Sequence, residues 1–126
     1  MNQEQEERFE LAEERLSAAK ILLENDSNVD SVSRVYYAMY HAAKALLKQK
    51  NSDPQTHSGI SSELGKLFRE ELGKELTREF SRIQEKRERA DYGEMKQIAR
   101  EEVRKDLETA ETFIRRAKEI IEDSSD

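Results

Sequence analysis

The chain contains no cysteine and no tryptophan, and only one proline and four glycines in 126 residues. Without cysteine there is no disulfide, no thiolate-held zinc or iron–sulfur cluster and no thiol nucleophile. Scarce proline and glycine, with few β-branched residues, argue against a sandwich or barrel and for long helices. No run approaches the roughly 20 apolar residues of a membrane span. The acidic start MNQEQEERFE lacks both the basic opening and the apolar stretch of a signal peptide. A soluble cytoplasmic protein with no membrane association is the expectation. Walker and dinucleotide glycine loops, His-Glu-x-x-His and a nucleophile elbow are also missing. Two histidines without a carboxylate-rich ligand spacing give no metal site, and no cofactor is expected.

Charge, by contrast, is abundant: 40% of the residues are Asp, Glu, Lys or Arg, against 26 Leu, Ile, Val and Phe. The fold must therefore bury a narrow apolar stripe. The length suits one domain over residues 1–126, with frayed ends near 1–5 and 122–126. The net charge of −6 excludes a wholesale basic footprint for nucleic acid. Locally, Arg78, Arg82, Lys86, Arg87 and Arg89 cluster, but Glu79, Glu85 and Glu88 dilute them, and a solvated helix face is the plainer reading for most of them.

Helical periodicity is clean. Phe9, Ala12, Leu16, Ala19 and Leu23 share one face of a first helix from about residue 4 to 24. Asn25–Asn28 gives a turn and N-caps. A second helix starts near Asp30, buries Val32, Tyr36, Met39, Ala43 and Leu46, and ends near Lys50. The loop 51–56 contains Pro54; a third helix begins at Thr56 to Ser58 and runs to a left-handed cap at Gly73. The fourth carries Leu76, Phe80, Ile83, Arg87 and Ala90 up to Gly93. A long fifth helix from about residue 95 aligns Ala99, Val103, Leu107, Ala110, Ile114, Ala117 and Ile121. With no internal repeat, the architecture is all-α, an antiparallel bundle of four to five helices.

Three places break the apolar pattern. On helix two, Arg34, Ala38, His41, Ala45 and Lys48 form a second ordered face flanked by Tyr37. Such a face either seals a helix or subunit contact or holds a ligand. Arg87 lies in register with the core positions of its helix, where a guanidinium needs a partner: Asp91 one turn on, a phosphate, or another subunit, with Tyr92 nearby. His57, beside Ser58 and Gly59 at a helix N-terminus, is either a capping residue or part of an anion site.

Ser33-Arg34-Val35-Tyr36-Tyr37-Ala38-Met39-Tyr40-His41-Ala42, His57-Ser58-Gly59 and Arg87-Glu88-Arg89-Ala90-Asp91-Tyr92 together resemble the HEPN domain family, helical domains of higher eukaryotes and prokaryotes with proposed nucleotide binding. The resemblance spans roughly residues 8 to 120. It implies a helical bundle, commonly a homodimer, often encoded beside a minimal nucleotidyltransferase as a toxin–antitoxin-like pair. Other members are metal-independent ribonucleases in which an Arg and a His with four to six residues between them act across a dimer. Five residues beyond Arg87 stands Tyr92, whose ordinary pKa near 10 makes it a poor acid or base at neutral pH. Arg34 followed by His41 does satisfy the spacing, on one helix face.

The reading that follows is a HEPN-like module binding a nucleotide, a minimal nucleotidyltransferase partner, or both, without catalysis of its own. Its ligand-binding candidates are Arg34, Tyr37, His41, His57, Arg87, Asp91 and Tyr92. The alternatives are a metal-independent endoribonuclease using Arg34 and His41 on RNA, and a purely structural oligomerisation bundle.

Overall fold

The computed structural model describes residues 1–124 and contains, among them, helices only. These are α1 (Gln3–Glu24), α2 (Asn28–Lys48), α3 (His57–Leu67), α4 (Arg69–Leu72), α5 (Lys74–Asp91) and α6 (Arg100–Asp123). The expected fraying of 122–126 falls in part on Ser125 and Asp126, which lie outside the described residues; α6 itself continues to Asp123. At the other end, α1 starts with a reciprocal cap in which Asn2 accepts from the Gln5 amide and Gln5 accepts from the Asn2 amide.

The side-chain contacts fix the topology. Ser31 donates to the Ala19 carbonyl and Gln5 to the Ala45 carbonyl, so α1 and α2 form an antiparallel hairpin. Its turn uses Asp26 at φ +61°. Lys20–Glu111 and Arg100–Asp26 pair α1 with an antiparallel α6. Arg82 reaches Asp106 and, one turn on, Lys86 reaches Glu102, setting α5 antiparallel to α6. Every stripe residue expected on α1 is buried, as are the five expected on α2, with Val35, Ala42 and Leu47 beside them. Ala38 and Ala45 are buried too, so α2 is enclosed on most sides and serves as the axle of the bundle. What packs on its second face is α1 of the same chain.

Two helix boundaries differ from the periodicity, each for a local reason. The third segment breaks at Phe68 (φ −129°, ψ 15°), leaving the short α4 before Gly73. There Lys50 donates its ammonium to the Leu67 carbonyl at 2.5 Å and lies 4.2 Å from the centre of the buried Phe68 ring, which satisfies the end of α3. Gly73 takes φ +93° but ψ 145°, so it is an extended hinge into α5 rather than a left-handed cap. Gly93 does cap its helix: at φ +74° it lets the Glu94 amide reach the Arg89 carbonyl and its own amide reach that of Ala90. Residues 94–99 are irregular and α6 begins only at Arg100, because Asn28 and Arg100 tie this strap to the α1–α2 corner through the Ile98 and Leu23 carbonyls.

The charged face of α5 is not solvated throughout. Lys86 is buried and binds Asp106 and Glu102 at 2.6 Å each, while Arg82 binds Asp106 at 2.7 Å and Glu79 at 2.6 Å. Asp106 is almost wholly enclosed, so its two cations are what make its charge tolerable. Asp106→Ala strands Lys86 with one half-exposed carboxylate and should cost about 3 kcal/mol in urea denaturation. Arg104→Ala, removing exposed pairs with Glu101 and Glu108, should leave the urea midpoint unchanged.

Candidate functional site

Tyr36, Tyr37 and Tyr40 sit within about one turn of each other on α2 and present their rings towards the start of α3. Tyr36 and Tyr37 are 5.3 Å apart between ring centres, and the His57 ring lies 5.5, 6.1 and 5.4 Å from Tyr36, Tyr37 and Tyr40 respectively. The loop before α3 sets that position. Lys44 holds Asp53 and the Pro54 carbonyl, and Thr56 accepts the Gly59 amide as N-cap. A Cβ at Gly59 would fall 2.8 Å from the Thr56 hydroxyl and 3.1 Å from the Pro54 Cβ, so this turn requires glycine.

Arg87 closes the cluster from α5. Its guanidinium carbon stands 5.0 Å from the Tyr36 ring centre and 5.7 Å from that of Tyr37, and Nη1 donates to Asp91 at 2.8 Å. Only 8% of the residue is exposed, yet its Nε has no acceptor. The core register of Arg87 and its partner Asp91 are thus as expected, but one donor is left over.

The protonation pattern follows from burial. Tyr36 is fully buried and its phenol pKa is raised, chiefly by desolvation against the opposing pull of Arg87, so the hydroxyl keeps its hydrogen. Among the described residues its partner is His57 Nδ1 at 2.6 Å, to which a phenol that keeps its hydrogen donates. His57 therefore carries its own proton on Nε2. Desolvation and then Arg87 lower the His57 pKa, with Glu88 and Asp91 opposing, which favours the neutral ring.

The remaining candidates are dispersed. His41 is half-buried on the α1 side, where Arg8 donates to its Nδ1 at 2.9 Å. Arg34 is exposed and unpaired among the described residues, and Tyr92 is 82% exposed just past α5. The structure thus brings together Tyr37, His57, Arg87 and Asp91, and adds Tyr36 and Tyr40. Tyr36 belongs to the core stripe and to the quoted motif but not to the ligand-binding candidates; its hydroxyl is the signal that marks it, since a core Tyr needs a polar partner. Arg8, on a Glu-rich helix, gave no signal. Among the described residues no group of three or more His, Asp or Glu gathers in a metal-holding arrangement, and no helix is long and apolar enough to cross a membrane.

Desolvation, followed by Arg8 and Arg15, lowers the His41 pKa from 6.5 to about 4. The unfolded chain then takes up this proton before the folded one does. The stability from neutral His41 is complete above pH 6.5 and declines as the pH falls towards 4. In an NMR titration His41 should stay mostly neutral at about pH 5.5, and Arg8→Leu should raise its midpoint. A wild-type midpoint at 6.5 would contradict the burial of His41 beside Arg8.

Comparison with known proteins agrees with this architecture. The family model described as HEPN domain matches residues 5–123. A Methanocaldococcus jannaschii protein named as a putative toxin is 39% identical over 121 residues, covering 91% of this chain and 87% of the relative. A UPF0332 protein of Archaeoglobus fulgidus is 36% identical over 120 residues, covering 94% and 95% of the two chains. Another UPF0332 protein, from Thermotoga maritima, is 34% identical over 114 residues, covering 89% and 86%. A match over nearly the whole chain, on a helical bundle that carries the three quoted motifs, establishes that this chain belongs to the HEPN domain family.

Proposed function

We propose that the protein is a toxin-like HEPN module that binds a nucleotide at the cluster formed by Tyr37, His57 and Arg87, dimerises, and pairs with a minimal nucleotidyltransferase. The observation that carries the reading is the buried Arg87 Nε without an acceptor. A buried donor left unmade costs about 1–3 kcal/mol, a cost that a phosphate or carboxylate oxygen removes once the half-exposed Asp91 side chain yields its place on the guanidinium. Beside it, the His57 and Ser58 amides at the start of α3, left over by the Thr56 cap on Gly59, and the His57 Nε2–H are donors suited to an anion. The tyrosine rings supply faces for a base. The putative toxin name carried by two Methanocaldococcus jannaschii relatives supports the toxin-like part.

Arg34 and His41 would serve the endoribonuclease reading. His41 is committed through Nδ1 to Arg8, and a pKa of about 4 makes it a weak base at neutral pH, while Arg34 lies on the exposed start of α2. This favours binding without catalysis.

Calorimetric titration with AMP and ATP, and with the product of the neighbouring gene, tests the proposal. Arg87→Met should lower nucleotide affinity at least tenfold, about 1.4 kcal/mol, while keeping the helical content. Wild type that binds neither nucleotide nor partner would overturn it. Undiminished nucleotide binding by Arg87→Met would overturn the placing of the site at Arg87, and absent nucleotide binding with partner binding intact and equal or higher stability in Arg87→Met would leave a structural oligomerisation bundle.

A further inference from the structure

Arg87 Nε is buried as well as unpaired, so a ligand reaches it only if something beside the guanidinium moves. Most of its surroundings are fixed. Tyr36 is fully enclosed, its hydroxyl holds His57 at 2.6 Å, and the turn before α3 is pinned by Lys44 on Asp53. Asp91 is the exception. Its side chain is 44% exposed, and its one ionic partner among the described residues is Arg87, whose Nη1 lies 2.8 Å away.

The position does not otherwise favour a carboxylate. Asp91 is the last residue of α5, at the end of the helix that carries partial negative charge. Glu88 precedes it by three residues, a spacing at which like charges repel. Both carboxylates oppose burial and Arg87 in their effect on the His57 ring, so both stand near the start of α3. Beyond Asp91 the chain runs into the exposed Tyr92 and the irregular residues 94–99, and the side chain can turn to solvent without disturbing the core.

The same pair orients the guanidinium. With Nη1 held by Asp91, the group lies 5.0 and 5.7 Å from the Tyr36 and Tyr37 ring centres and its Nε is hidden from solvent. Once released, the planar head is free to turn about its last side-chain torsions and to offer a two-nitrogen edge, the fork that takes two oxygens of a phosphate.

Resting on the reading that the Arg87 cluster holds a nucleotide, we infer that Asp91 is a built-in competitor for that site: its carboxylate occupies Arg87 in the free protein, and the phosphate of the ligand binds by exchange with it. The structure is then the closed form of the site. Apparent affinity is lowered by the fraction of molecules in which the guanidinium is open, and binding frees a carboxylate at the exposed end of α5. A permanent structural pair would also place Asp91 here, but it would leave the buried Nε unsatisfied in every state of the protein.

The test compares wild type with Asp91→Asn, Asp91→Ala and Glu88→Gln by calorimetric titration with inorganic phosphate and with AMP. Both Asp91 variants should bind phosphate and AMP about three- to fivefold more tightly, the range set by a half-exposed ion pair. In the free variants the Arg87 Nε–H should also exchange with solvent faster than in free wild type. Glu88→Gln removes the same charge from beside His57 without releasing Arg87, and should change either affinity by less than about twofold. Unchanged or weaker binding in both Asp91 variants would overturn the inference. So would an equal gain in Glu88→Gln, which would reduce Asp91 to one part of a general negative field. If the Asp91 variants gain phosphate affinity while none of the four proteins binds AMP, the competitor stands and the nucleotide reading fails alone. If none binds phosphate or AMP, both fall.

Discussion

A guanidinium buried against two aromatic faces and satisfied on only one side is the constraint around which this molecule is arranged. Arg87 receives cation–π attraction from Tyr36 and Tyr37 and an ion pair from the partly exposed Asp91. These offset its desolvation by about 0.5–2 kcal/mol for the ring contacts and less for a solvent-screened pair. The vacant Nε works against that balance. An apolar side chain of similar length would pack there more cheaply. The arrangement is therefore costly as architecture and useful as a receptor for an oxygen anion.

Holding Arg87 in place requires the rest of the fold. The register of α5 is set one turn away, where Lys86 and Arg82 converge on the enclosed Asp106 of α6. Phe80, packed at a tilt between Tyr36 and Phe113 with ring centres 5.7 and 5.5 Å away, fixes the same helix from its apolar side. The rings that face Arg87 belong to α2, whose small alanines let α1 and α6 close around it. His57 arrives through a loop in which Pro54, Thr56 and Gly59 leave no room for another residue at the glycine. A helical pair, a charge network and a tight turn thus converge on a cluster only a few side chains wide.

Much of this was legible in the chain. The α1 stripe appears in the structure residue for residue, because a sequence poor in apolar residues leaves a single burial pattern to choose. Arg87 announced itself by standing where a leucine would be expected, and Asp91 by its distance of one turn. What escaped was tertiary. Lys86 and Asp106 look like surface residues on their own helices, and become internal only when α5 meets α6. Tyr36 satisfied the apolar rhythm and so concealed the hydroxyl that orients His57. The break at Phe68 depends on an ammonium from Lys50, 18 positions earlier, which no local propensity encodes.

The central claim is that Arg87 Nε is a waiting donor. Nitrogen-detected NMR of the Arg87 side chain during titration with a nucleotide reads it directly. The account predicts that the Nε–H resonance shifts and becomes protected from exchange, together with His57 Nε2–H. Saturable nucleotide binding that leaves both resonances unmoved while perturbing another surface would contradict it.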